Sequence, residues 1–234
     1  MAETRKVAML RSLVSLFGLL LLFACGEPVT PDARIMLMGD SLMASNRAAE
    51  KSVADSMEVL LEEAVTDRSV AGARYFYHLP ISGAAGVRLT EQYRPNAWDW
   101  VVLNGGGNDL LFGCGCGACD GMLDRLVAKD GRSGAIPSFV ARIRQSGAKV
   151  IYVGYLRNPG RWTPIKACGP AGNELDARLT RMAQFDVGVT FLPIADLVPR
   201  GDTSYHQLDR IHPSPKGSLA IAQRIVRQIK HRGQ

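Results

Sequence analysis

Short apolar runs alternate along this chain with stretches whose apolar residues recur every three to four positions. Arg34-Ile35-Met36-Leu37-Met38 opens the alternation, and four apolar residues in a row are the pattern of a strand buried on both faces of a parallel sheet. Between Ala48 and Thr66, the residues Val53, Met57, Leu60, Leu61 and Ala64 fall on one face of a helix. Aromatic and β-branched residues from Val70 to Ile81 predict a second strand. Trp98 to Leu103, Lys149 to Val153 and Val189 to Ile194 predict a third, a fourth and a fifth. Helical patterns separate the later strands at Pro137 to Gln145 and Glu174 to Phe185, and Pro215 to Ile229 closes the chain. Strands alternating with helices imply right-handed crossovers and a mostly parallel sheet covered on both faces. The fold class is therefore α/β, a three-layer sandwich around a five-stranded sheet. With no internal repeat and 234 residues of which 47% are hydrophobic, one domain accounts for the chain.

The N-terminus departs from this pattern. Arg5, Lys6 and Arg11 precede an 11-residue apolar run from Leu13 to Phe23, which fits the h-region of a signal peptide and is short for a membrane span. Leu22-Phe23-Ala24-Cys25-Gly26 resembles a bacterial lipoprotein processing site, with Cys25 as the lipidated residue. Phe23 departs from the usual pattern there, which leaves cleavage by an ordinary signal peptidase as the alternative. The expected division is a signal peptide over 1–24, a tether over 25–33 and the folded domain over 34–234. Eight extended residues, Cys25 to Asp32, reach at most about 26–29 Å, so a lipid anchor would hold the domain close to a membrane. Losing residues 1–24 removes Arg5, Lys6, Arg11 and Glu3, which lowers the net charge from +6 to +4. That balance is mildly basic. No Lys/Arg run with interleaved aromatics suggests nucleic acid as a partner.

Four stretches carry chemistry. Gly39-Asp40-Ser41 follows the first strand and places a serine where open α/β sheets bind their ligands. Taken alone, Ser41 could equally cap a helix. Ile81-Ser82-Gly83-Ala84 follows the expected second strand, and Gly105-Gly106-Gly107-Asn108-Asp109 follows the third. Asp209-Arg210-Ile211-His212-Pro213 precedes the last helix. All four sit where a parallel sheet puts its carboxyl-edge loops, so all four can face one crevice.

These blocks resemble, in order and spacing, those of the SGNH (GDSL-type) serine hydrolases. The framing phrases Met38 to Leu42, Ile81-Ser82-Gly83 and Phe185-Asp186-Val187 are similar to the branch of bacterial periplasmic thioesterases, lysophospholipases and arylesterases. The resemblance implies a flavodoxin-like architecture and a triad. Ser41 is a poor nucleophile without an adjacent base, His212 can take its proton and return it, and Asp209 can fix the imidazole tautomer. It gives the oxyanion hole to the backbone N–H groups of Ser41 and Gly83 and to the side-chain amide of Asn108, with Gly86 as the alternative to Gly83. Asp40 and Asp109 are expected to brace their loops, His78 and His206 to be structural, with His206 a candidate for the rim. The implied activity is an exported serine esterase acting on lipid or small acyl esters or thioesters through an acyl-enzyme, with no metal or cofactor. A glycan or peptidoglycan O-deacetylase or acyltransferase could use the same residues. A non-catalytic lipoprotein is the third reading, and the intact Ser/Gly/Asn/His set argues against it.

The remaining cysteines fall outside the family pattern. Cys114, Cys116, Cys119 and Cys168 are an even number in an exported chain, which predicts two disulfides. A four-thiolate zinc or iron–sulfur site is the alternative. Cys114 and Cys116 are too close to bridge easily, so one of the three is expected to pair with Cys168 and the other two with each other, with Cys114–Cys119 and Cys116–Cys168 as the first choice. Such a staple would join the loop after Asn108 to the Pro/Gly-rich loop from Asn158 to Gly172 as a rim over the crevice. Arg157 and Trp162 lie in that rim as either substrate contacts or surface residues.

Overall fold

The structure, a computed structural model, describes Thr30 and residues 32–233. The expected signal peptide and Cys25 lie outside the described residues. Five parallel strands form one sheet: β1 (Ile35–Met38), β2 (Val65–Asp67), β3 (Trp100–Leu103), β4 (Lys149–Val153) and β5 (Val189–Leu192). Their spatial order is β2-β1-β3-β4-β5, the flavodoxin-like order. The direction of winding reverses between β1 and β3, and doubly wound sheets bind ligands at that point.

Helices cover both faces: α1 (Ser41–Ala44), α2 (Val53–Leu61), α3 (Gly107–Cys114), α4 (Asp120–Leu126), α5 (Ala135–Arg144), α6 (Gly169–Ala183) and α7 (Pro215–Arg232). The two-residue alternation of each strand divides the core. Ile35, Leu37, Val102 and Ile151 pack with Val53 and Met57 of α2 and Ile221, Ile225 and Ile229 of α7. Met36, Met38, Val101, Leu103 and Tyr152 pack on the other face with Leu126, Ile136, Phe139, Leu175 and Leu179. Each cluster continues from the sheet into the helices on its face, which makes a three-layer α/β sandwich.

Two expected elements differ. The helix over 48–66 is confined to Val53–Leu61, because Ser52 and Asp55 form a capping box at its start and Glu62 leaves it with a left-handed backbone, φ 56°. The residues beyond it then form β2, with Val65 and Thr66 in register with Ile35 and Met36. The expected second strand over Val70 to Ile81 is a loop along the carboxyl edge. Its pairing is an isolated bridge, Arg74 to Arg88, and the Tyr75 and Phe76 N–H groups donate to the Asp109 carboxylate instead of to a neighbouring strand. Aromatic content there reflects packing, since Tyr75 is buried against Phe139 in an edge-to-face contact.

Candidate active site

The chain turns sharply after β1. Gly39 has φ +152°, and a Cβ on it would lie 2.0 Å from Asn104 Oδ1, so a larger residue would push the turn off β3. Asp40 caps α1 and is buried. Its Oδ1 accepts from the Leu42 N–H at 2.9 Å and from Asn104 Nδ2 at 3.2 Å, and its Oδ2 accepts from the Tyr155 hydroxyl at 2.6 Å. Burial pushes the Asp40 carboxyl above the ordinary carboxylate range, opposed by the bonds from Tyr155, Leu42 and Asn104. Ser41 is the first residue of α1, so its N–H is one of those that no helical carbonyl reaches.

A second loop approaches from the end of the chain. Gln207 N–H donates to the His212 carbonyl at 2.8 Å and Arg210 N–H to the Gln207 carbonyl at 2.9 Å, which closes the segment into a compact turn with Arg210 at φ +57°. Asp209 Oδ1 accepts from the Ile211 and His212 N–H groups at 2.9 and 3.0 Å. Its Oδ2 lies 2.5 Å from His212 Nδ1, and His212 Nε2 lies 2.9 Å from Ser41 Oγ. Partial burial would raise the Asp209 carboxyl, but the bonds from the imidazole and the two N–H groups outweigh it and hold it below the usual range. An anion is thus kept behind the imidazole, which fixes the proton on Nδ1 and leaves Nε2 to accept from Ser41.

Asn108 follows β3 at the start of α3, and its Nδ2 donates to the Ala73 carbonyl at 3.0 Å. The next residue, Asp109, holds Tyr75 and Phe76, so the loop after β2 is tied to this helix at two consecutive positions. Burial pushes the Asp109 carboxyl up, against the pull of those N–H groups. Asp40 and Asp109 therefore both brace loops.

Ser41, Asn108 and His212 line one cavity of about 390 Å³, with Leu110, Leu111, Leu156, Ile165 and Leu175 as its apolar walls. Arg157, Lys166, His206 and Arg210 also line it. Gly83 and Gly86 are buried and neither is among the lining residues. A Cβ on Gly83 would face Arg88 and Tyr77, and the Gly86 carbonyl accepts from Gln92 Nε2 at 2.9 Å. Ala73, whose carbonyl holds the Asn108 amide, follows Gly72, a turn residue with φ +78° that is likewise not among the lining residues. Sequence reasoning passed over it because the expected second strand absorbed the segment. The available signal was a glycine five residues beyond the short β-branched run Val65-Thr66 and Asp67. Tyr155, Asn104 and Gln92 were missed as well, and no local pattern marks them.

The four thiols form two disulfides, Cys114–Cys119 and Cys116–Cys168, in the expected pairing and not as a metal site. Cys168 lines the cavity, so the second bridge ties the turn after α3 to its wall. Arg157 lines it too, with its guanidinium held by Asp176, Asn173 and the Tyr155 carbonyl. Trp162 is 70% exposed and contributes its carbonyl to Arg210. His78 is exposed, whereas His206 is buried in the cavity wall with Nδ1 unpartnered.

A serine-bearing turn after β1, a facing histidine loop before the last helix and an asparagine after β3, all on a β2-β1-β3-β4-β5 sheet, define the SGNH class of α/β proteins. The chain belongs to the GDSL-like lipase/acylhydrolase family, whose model matches residues 37–220. No curated protein matches it by sequence. Among solved structures, a protein named as a platelet activating factor from Streptococcus pneumonia aligns with a TM-score of 0.63 at 14% identity, over 94% of this chain and 99% of its own. One named as an acylhydrolase from Bacteroides fragilis aligns with a TM-score of 0.62 at 20% identity, over 89% and 91%. A carbohydrate esterase family 2 enzyme from Corynascus thermopiles aligns with a TM-score of 0.56 at 16% identity, over 89% and 69%. At these identities the likeness is one of fold.

Proposed function

We propose that the protein is an exported serine esterase that cleaves acyl esters or thioesters with apolar acyl groups. One observation carries the reading: Ser41 Oγ, His212 Nε2, His212 Nδ1 and Asp209 Oδ2 form an unbroken hydrogen-bonded chain that opens into an apolar cavity. In the first half-reaction Ser41 Oγ bonds to the acyl carbon while its proton passes to His212 Nε2. Asp209, anionic, stabilises the imidazolium. The carbonyl electron pair moves onto oxygen, facing the Ser41 N–H and the Asn108 amide. One amide hydrogen of Asn108 is held by Ala73, which aims the other. We assign the third donor to the Gly72 N–H in place of Gly83. When the C–O or C–S bond breaks, His212 returns the proton to the leaving group. Water, deprotonated by the same imidazole, then releases the acid and frees Ser41.

Leucine and isoleucine walls favour an acyl chain over a glycan as the group that fills the cavity. O-deacetylation of a carbohydrate is the second reading, prompted by the fold shared with a carbohydrate esterase. In that case the sugar would lie across the mouth. The lipoprotein anchor at Cys25, the domain division and the placement in the cell envelope belong to the same proposal. The test is a chain-length series of p-nitrophenyl esters beside lysophospholipids, acyl thioesters and acetylated glycans. A kcat/KM that climbs from acetyl to longer chains supports the first reading, and activity on acetyl groups alone would replace it with the second.

A further inference from the structure

One tyrosine in the site has no place in the reaction as written above. Tyr155 stands two residues beyond β4, with its ring in the cavity wall between the Ser41 and Asn108 loops. Its hydroxyl makes two bonds of opposite sense. It donates to Asp40 Oδ2 at 2.6 Å and accepts from the Gly107 N–H at 2.9 Å. Asp40 immediately precedes the nucleophile, and Gly107 immediately precedes Asn108. A single oxygen thus joins the residue before one oxyanion donor to the residue before another.

The surroundings leave this oxygen little freedom. A Cβ on Gly107 would lie 2.7 Å from Tyr155 Cζ, so the glycine backbone rests directly on the ring. Behind the ring, the Tyr155 carbonyl accepts from Arg157 Nη1 at 3.0 Å, and Arg157 is itself held by Asp176 and Asn173 of α6. On the Asp40 side, Leu42 and Asn104 fix the other carboxylate oxygen. The hydroxyl is therefore a strut between two loops that are each anchored elsewhere. Mere packing would need the ring but not the oxygen.

We infer that Tyr155 is a positioning residue, whose hydroxyl sets the distance between the Ser41 and Asn108 loops and with it the spacing of the oxyanion donors. The inference rests on the esterase reading above. Donor placement acts on the transition state more than on the bound ester, and a displacement near 1 Å costs about 100-fold in rate. Phenylalanine keeps the ring and removes both bonds.

Tyr155→Phe should lower kcat about 10–100-fold while KM stays within about twofold. A double-mutant cycle with Asn108→Ala isolates the route. Misplacing a donor that is already absent costs little, so the double variant should turn over within about threefold of Asn108→Ala alone. Parental kcat in Tyr155→Phe, or losses that multiply in full, would overturn the inference and leave Tyr155 as packing. If Tyr155→Phe does not fold, Gly107→Ala approaches the same contact from the other side and must show the same kcat-selective, non-multiplying loss. A Ser41→Ala variant with parental turnover would overturn this inference and the esterase reading together, whereas the outcomes above overturn this one alone.

Discussion

Ser41 Oγ and His212 Nε2 lie 2.9 Å apart across 171 residues of sequence. Neither loop reaches the other unaided. β1 delivers the serine to the carboxyl edge of the sheet, and the turn held by Asp209 delivers the imidazole from the chain entering α7. The pair is the first thing to test. Ser41→Ala should abolish turnover and labelling by a fluorophosphonate probe while the far-UV circular dichroism stays that of the parent. Labelling that persists, or that maps to another serine, would remove Ser41 from the role.

The oxyanion assignment separates two glycines. Asn108→Ala removes a donor and should lower kcat by about 10²–10³-fold with little change in KM. Gly72 has a left-handed backbone in open space, so Gly72→Ala meets no atom but strains the turn whose next residue, Ala73, aims Asn108. It should lower kcat severalfold or more. Gly83 has an ordinary right-handed backbone, and an added Cβ would meet side-chain atoms at 3.4 Å or beyond. Gly83→Ala should keep parental kinetics. The reverse ranking of the two variants in a steady-state assay would restore Gly83 to the oxyanion hole.

The sequence showed most clearly what is local and periodic. β1, β3, β4 and β5 follow from apolar runs, and the hydrogen-bonded set Ser41, His212 and Asp209 from short motifs that sit at element ends. What it hid lies at β2. Val65–Asp67 is three residues long and adjoins a helix whose apolar spacing runs straight into it, so periodicity cannot separate the two. The misplaced strand also moved the expected oxyanion glycine to Gly83, where the proposed assignment is Gly72. Tyr155 and Gln92 were illegible for a different reason. Their roles depend on partners 115 and 53 positions away, and no spacing rule records that.

The export reading has its own test. If Cys25 is acylated, the full-length protein expressed in a bacterium should partition into detergent and take up labelled palmitate. Cys25→Ser should release it or block its processing. A soluble, unlabelled parent whose mature N-terminus lies elsewhere would mean simple secretion.

His206 makes stability depend on pH. Burial pushes its imidazole below the ordinary histidine range, against the pull of Asp209. On acidification the unfolded chain takes up a proton near pH 6.5 that the folded chain resists, so this group costs stability as the pH falls through that value and below. The drop in Tm between pH 7.5 and pH 5.5 should therefore be smaller in His206→Gln than in the parent. Equal drops would mean that His206 is as easily protonated folded as unfolded.

The Cys116–Cys168 bridge offers a test of substrate choice as well as of stability. It closes a separation of 52 residues, which on chain-entropy grounds is worth about 4 kcal/mol. For a domain of this size that corresponds to a Tm lower by roughly 8–16 °C when the bridge is removed. Its position has a second consequence. Cys116 follows α3, the helix that begins with Gly107 and Asn108, while Ile165, Lys166 and Cys168 line the cavity. Cutting the bridge frees that wall but leaves Ser41, His212 and Asp209 with every hydrogen bond described above. The double variant Cys116→Ser, Cys168→Ser avoids mispairing with Cys114–Cys119. If that wall holds the acyl chain, the variant should lose affinity for long acyl chains, with KM for a decanoyl ester rising severalfold, while kcat on an acetyl ester changes by less than about twofold. Equal losses on both esters would mean that the bridge supports the catalytic loops and not the acyl pocket.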